Sequence, residues 1–287
     1  MVREVVRLEM PTRLINRRVT SKRMRRVTEI SDNVLDPYRD LKQVKYSSDS
    51  ETFIAEGRFV VERLLESSFE VESVLVSSER FGELSCLDSL NAPVLLVTSD
   101  VCEQLVGFPF HRGIMACGRR KKCHSVPASL AVGRSLLVCC PEPALAENLG
   151  AIIRTSAALG AGAVLTGNAA VDPFSRRSIR ASMGNCFRMP IIQSKNLPAE
   201  LDRLKTACGY ETIGMSLCET ALSITAINFS PKTILLVGNE ATGLSPVFES
   251  LCDRQTRIAM ADGIDSLNVA AAAAIAMFTF QQSNSSN

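Results

Sequence analysis

The sequence predicts an α/β protein in two parts: a small sheet flanked by helices, then a larger sheet built from βαβ units. Three observations carry that prediction. Segments of strand periodicity alternate with segments of helical periodicity along most of the chain. The chain has 287 residues, and at roughly 100–200 residues per domain that favours two domains. Apolar residues make up 46% and charged residues 22%, ordinary for a globular protein and unlike a disordered one.

Residues 1–50 show no sustained periodicity and read as a basic arm with a lead-in, with a short helix expected near Tyr38 to Lys42. Phe53 to Ala55 is short and extended. Gly57 to Glu66 carries Val60, Val61, Leu64 and Leu65 at the spacing of an amphipathic helix. Val71 to Ser77 and Val94 to Thr98 read as strands. Ser99 is the expected cap of a helix Asp100 to Val106, because its hydroxyl can accept from a first-turn N–H. Gly113 to Cys117 is the last strand of this part, which spans 51–118. The run Gly118-Arg-Arg-Lys-Lys122, followed by Pro127 and Gly133, reads as an exposed linker over 119–134.

The second part, 135–287, opens with a strand Ser135 to Cys140, a helix Glu147 to Leu159 and a strand Ala163 to Thr166, one βαβ unit. Gly160-Ala-Gly162 is a helix stop. Further strands are expected at Arg188 to Ile192, Thr212 to Leu217, Thr233 to Val237 and Arg257 to Met260, with helices at Pro198 to Cys208 and Leu267 to Gln281.

Charge is uneven. Residues 1–26 hold nine Lys/Arg against Glu4 and Glu9, while the chain as a whole is only +2. Such an arm suits a polyanion such as nucleic acid; a solvated tail or an organellar transit peptide has the same composition. The longest apolar run, Val269 to Phe278, is ten residues, about half of the ~20 that cross a bilayer. No secretory-type apolar stretch lies near the N-terminus. Ten cysteines occur without a C-x-x-C pair. The Cys117/Cys123/His124 spacing is poor for zinc, so no metal is expected, and reduced, mostly buried thiols fit a cytoplasmic protein.

Three stretches share the order strand, polar or small-residue loop, helix. They are Leu136–Pro143 leading to Asn148-x-Gly150-x-x-x-Arg154, then Ile234–Ser245, then Ile258–Val269. Ligands of open α/β sheets bind beyond the carboxyl ends of the strands, where such loops collect. Gly238 and Gly243 flank Asn239-Glu240, as ordinary turn glycines or as points of close backbone approach. Ser266 or Asn268 can cap the closing helix. Arg154 sits on a largely apolar helix, either snorkelling to solvent or held as a cation for negative charge. There is no Walker A sequence and no nucleophile elbow, and the two histidines are too few and ill placed for a triad.

These stretches resemble the three motifs of the SpoU (TrmH) family of RNA 2′-O-ribose methyltransferases. Asn148-x-Gly150-x-x-x-Arg154 is similar to the first, Leu236–Ser245 to the second, and Ile258-Ala-Met260 with Ser266-Leu-Asn-Val269 to the third. Arg180–Phe187 and Phe53–Gly57 resemble further family segments. The resemblance implies a SPOUT-type parallel sheet with a C-terminal trefoil knot, preceded by a small α/β domain like ribosomal protein L30e. It implies S-adenosylmethionine as cofactor, RNA as substrate (ribosomal favoured over transfer RNA) and a homodimer formed through the C-terminal part. By the same resemblance Gly238, Ile258 and Leu267 hold the cofactor, with Met260, Asn239 and Gly243 nearby. Arg154 is catalytic, with Asn148, Glu240, Ser266 and Asn268 around it. Ala259 stands where the third motif usually has proline.

Overall fold

The computed structural model describes residues 24–42, 50–81, 87, 90–127, 129, 133 and 135–283. The first sheet contains β1 (Met24–Arg26), β2 (Thr52–Glu56), β3 (Val71–Ser77), β4 (Val94–Val97) and β5 (Ile114–Arg119), in the order β1-β4-β3-β5-β2. β5 runs antiparallel to β2 and β3, and the remaining pairs are parallel. Helices α1 (Arg58–Leu65) and α2 (Ser99–Val106) accompany it. Side chains alternate across a strand, so Phe53 and Ala55 enter one core while Ile54 enters another with Leu75, Leu95 and Leu105.

Strand β1 and a 3₁₀ helix at Asn33–Tyr38 lie within the stretch expected to be arm and lead-in. Met24, Arg25 and Arg26 pair with Val94, Leu95 and Leu96. Two arginines in three residues suit a charged edge strand and carry no apolar alternation to read. The helix ends at Tyr38 and does not begin there. Tyr38 is fully buried, and its hydroxyl donates to the Ser73 carbonyl at 3.0 Å. The rest of the expected arm, 1–23, lies outside the described residues. Ser99 is not the cap of α2. Thr98 takes that position, and the Ser99 hydroxyl donates to Glu79 Oε2 at 2.8 Å.

In the cationic run after β5, Arg119, Lys121 and Lys122 are exposed as expected, but Arg120 is not. Arg120 is buried and binds Asp172 through both guanidinium branches, Nη1 to Oδ1 at 2.7 Å and Nη2 to Oδ2 at 2.6 Å. Its Nε also donates to the Thr52 carbonyl, and the guanidinium lies over the Phe174 ring. Arg119 faces Glu51, Glu70 and Glu72, and Lys121 donates to Ser68 above Phe69. Four cations in sequence read as solvated, but a planar fork with a matching carboxylate can be buried. Around this pair Phe53 stacks on Phe174 and Phe187, with centroids 5.6 and 5.2 Å away, and Phe69 closes the cluster.

The second sheet holds β6 (Ser135–Cys140), β7 (Ala163–Thr166), β8 (Ile191–Gln193), β9 (Glu211–Met215), β10 (Leu222–Ser223), β11 (Lys232–Leu236) and β12 (Arg254–Arg257). The order is β10-β12-β9-β11-β6-β7-β8 and every pair is parallel. All strand-end loops therefore leave the same edge. Its helices are α3 (Ala146–Ala158), α4 (Arg176–Ala181), α5 (Leu197–Cys208), α6 (Pro246–Ser250) and α7 (Val269–Gln282). The last strand ends at Arg257, where it was expected to begin, so Ile258–Met260 lie in the loop beyond it. Likewise Arg188 and Met189 precede β8. Gly160 has φ +68°, as a helix stop requires. The described cysteines are free thiols. No helix among the described residues is long and apolar enough to cross a membrane.

Candidate active site

Because the sheet is parallel, the loops after β6, β9, β11 and β12 meet at its carboxyl edge. They enclose a cavity of about 770 Å³, within the roughly 300–1,000 Å³ typical of small-molecule sites. Asn148, Gly238, Asn239, Glu240, Gly243, Ile258, Met260, Ser266, Leu267 and Asn268 all line it. Residues separated by up to 120 positions thus share one wall.

The β11 loop owes its shape to glycine. A Cβ on Gly238 would stand 2.3 Å from the Gly243 carbonyl carbon and 2.4 Å from the Leu244 nitrogen. The close approach is therefore to the chain's own backbone. Asn239 and Gly243 exchange both backbone hydrogen bonds, at 2.8 and 2.9 Å, and Gly243 has φ +72°. The Asn239 amide donates to the Glu142 carbonyl, tying this loop to the one after β6. Gly238→Ala should force the loop open and weaken cofactor binding at least tenfold, measured by calorimetry. Binding equal to that of the unaltered protein would show that the loop's path is not what the ligand needs.

The polar floor is a chain of three side chains. Glu240 accepts from the N–H groups of Ala144 (3.0 Å) and Leu145 (3.3 Å) and from Asn148 Nδ2 (3.0 Å). Asn148 Oδ1 accepts from Asn268 Nδ2 at 3.0 Å. Asn268 Oδ1 accepts from the Ala270 and Ala271 N–H groups, so Asn268 caps α7. Partial burial alone would raise the Glu240 pKa. The Ala144 N–H, the Asn148 amide and the other donors outweigh that and hold it below the ordinary carboxylate value. Glu240 is therefore an ionised anchor and a poor base. What it contributes to stability is present above the ordinary carboxylate pKa and lost as pH falls through the lowered one. Beneath the floor, burial and then Glu240 push the Cys140 thiol up to about 12, so it packs as an uncharged group.

Arg154 does not line the cavity. It lies six residues beyond Asn148 on α3 and is exposed, and its side chain makes no hydrogen bond or ion pair with any described residue. Sequence reading also missed the wall formed by Met215, Ser216, Leu217 and Cys218. The strand expected over Thr212 to Leu217 ends at Met215, and the residues beyond it carry no glycine or cation to mark a site. With apolar Met215, Leu217, Ile258, Met260 and Leu267 and the carboxylates of Glu240, Glu249 and Asp265 in one lining, the cavity suits a flat apolar ring joined to a cationic group.

A model of the SpoU rRNA methylase family matches residues 135–278. An uncharacterized tRNA/rRNA methyltransferase of Mycobacterium tuberculosis is 35% identical over 261 residues, 88% of this chain and 90% of its own. The 23S rRNA (guanosine(2553)-2′-O)-methyltransferase RlmP of Bacillus subtilis is 28% identical over 257 residues, 89% and 98% of the two chains. Among solved structures, the SpoU methyltransferase AviRb from Streptomyces viridochromogenes in complex with AdoMet superimposes with a TM-score of 0.78. It is 22% identical and covers 89% of this chain and 100% of that one.

Proposed function

The chain belongs to the SpoU rRNA methylase family, and on that premise we propose that it methylates a ribose 2′-hydroxyl of ribosomal RNA with S-adenosylmethionine. The observation that carries this reading is the single cavity shared by the three motif loops. Its residues fit the cofactor: apolar side chains for the adenine, loop backbone for its polar edge, carboxylates for the positive sulfonium and ammonium groups. S-adenosylmethionine supplies an electrophilic methyl group. The ribose oxygen would gain that methyl group from sulfur and would give up its proton to water. Backbone groups at Gly238, Ile258 and Leu267 hold the cofactor, Met260 and Gly243 border it, and Asn239 braces the loop. The chain Glu240–Asn148–Asn268 fixes the floor, and the Ser266 hydroxyl, with no described partner, faces the incoming ribose. Displacement at carbon needs an in-line nucleophile, so positioning carries much of the rate.

Arg154 enters from a second copy. On α7, Ala271, Ile275 and Phe278 recur on one face and are exposed, Phe278 to 53%. An apolar stripe of this kind is what an isologous dimer covers. The exposed face of α3, which packs against α7, then meets the partner and carries Arg154 toward the partner's cavity. Arginine stays protonated at physiological pH, so its role is to stabilise the emerging alkoxide or a neighbouring phosphate. We assign 51–118 to RNA binding and 135–287 to catalysis, and take the crossing of 258–268 over the β9 and β11 loops as the trefoil knot. The free thiols suit the reducing cytoplasm.

Mapping 2′-O-methyl positions in total RNA, with and without the gene, tests the substrate. Loss of one ribosomal methyl group is expected. Loss from a transfer RNA instead would overturn the RNA class, and failure of the protein to bind S-adenosylmethionine would overturn the reaction.

A further inference from the structure

The strongest unexplained charge lies on α4. From Pro173 to Ala199 the sequence holds Arg176, Arg177, Arg180, Arg188 and Lys195 and no acidic residue. Two of these arginines are tied down. Arg176 binds Glu56 at 2.8 Å and the Leu41 carbonyl at 2.8 Å, and Arg188 binds Glu66. Arg177 and Arg180 are exposed, and their side chains make no hydrogen bond or ion pair with any described residue.

Helix geometry says where they point. At about 100° per residue, Ser178, Ala181 and Ser182 share one face of α4. That face meets α3 at Gly150, where a Cβ would be 2.5 Å from Ala181 Cβ and 2.6 Å from the Ser178 carbonyl oxygen. Arg176 turns the other way, to β2. Arg177 and Arg180, roughly 60° apart, occupy the open face between those contacts. The Arg177 and Arg180 guanidiniums, with no partner among the described residues, therefore lie beside the crossing of α3 and α4, between the first sheet and the helix that opens the cavity. In the cationic run after β5, by contrast, Arg119 and Arg120 face carboxylates and Lys121 donates to Ser68, while Lys122 is exposed.

We propose that Arg177 and Arg180 contact the RNA backbone, holding phosphates beside the target nucleotide as the strand passes from the first sheet to the cavity. This rests on the RNA methyltransferase reading above. Neither arginine faces a base-reading pocket, so the contact supplies affinity and register without sequence preference.

The test uses the full chain and ribosomal RNA extracted from cells lacking the gene. Arg177→Gln with Arg180→Gln should weaken RNA binding roughly tenfold near physiological salt, and flatten the slope of log K against log[salt] by about 1.4–1.8 for two lost phosphate contacts. KM for RNA should rise more than kcat falls, and S-adenosylmethionine affinity should not change. Arg177→Lys with Arg180→Lys should restore the salt slope, which a merely structural role would not predict. An unchanged slope in the glutamine variant would overturn the proposal. So would a shift of that variant from dimer to monomer in sedimentation, because the arginines would then serve a second protein copy. If the unaltered protein itself fails to methylate this RNA, the broader reading fails and not this assignment alone.

Discussion

Arg154→Ala should lower the single-turnover rate of ribose methylation about 10²–10³-fold, the cost of removing one preorganised donor from a developing oxyanion. Affinity for S-adenosylmethionine should stay within about twofold, because the Arg154 side chain touches no wall of the cavity. The two readouts together separate a group that acts on the ribose from one that shapes the pocket. Mixing subunits tests how it gets there. An Arg154→Ala chain keeps an intact cavity, and a Gly238→Ala chain keeps an intact arginine. If the guanidinium crosses the two-fold, one site in each mixed dimer is whole and about a quarter of full activity returns on random mixing. If it acts within its own chain, mixing restores nothing. Turnover unaffected by Arg154→Ala would remove the residue from the reaction altogether.

Asp172→Ala should destabilise the protein by about 3–5 kcal/mol, the usual cost of leaving a buried charge without its partner. At roughly 2–4 °C per kcal/mol for a chain of this size, the thermal midpoint should fall on the order of 10 °C. Asp172 does more than pair with Arg120. Its Oδ1 also accepts from the Phe174 N–H, and its carbonyl from the Ser178 hydroxyl, so it sets the entry to α4. Adding Arg120→Met should recover much of the loss, because a well-packed apolar side chain often replaces a buried ion pair at little cost. A midpoint within 2 °C of the unaltered protein, read by calorimetry, would mean that water reaches this pair.

Much of the architecture is legible in the residues, and the gaps have physical reasons. Val71–Ser77, Ser135–Cys140 and Ala163–Thr166 emerge with their expected bounds because each is built on a run of apolar residues, Val74–Val76, Leu136–Cys140 and Ala163–Leu165. β1 has three residues and two charges, so only its pairing with β4 defines it. The three motif loops converge because parallel strands send every loop to one edge. The Met215–Cys218 wall shares that edge but bears no glycine, carboxylate or cation to single it out. Helical periodicity places Arg154 on an outward face of α3; it cannot say which molecule that face serves. Arg120 is the plainest gap. Its burial depends on a carboxylate fifty-two residues downstream.

The clamp formed by Arg120, Asp172 and the four phenylalanines ties the first sheet to the entry of α4, which packs on α3 beside the cavity. With 51–118 binding RNA as proposed, this contact sets the distance from the grip to the cavity. An RNA that fits must present a grippable surface and a free ribose at that separation. On that reading selection becomes a matter of the RNA's folded dimensions.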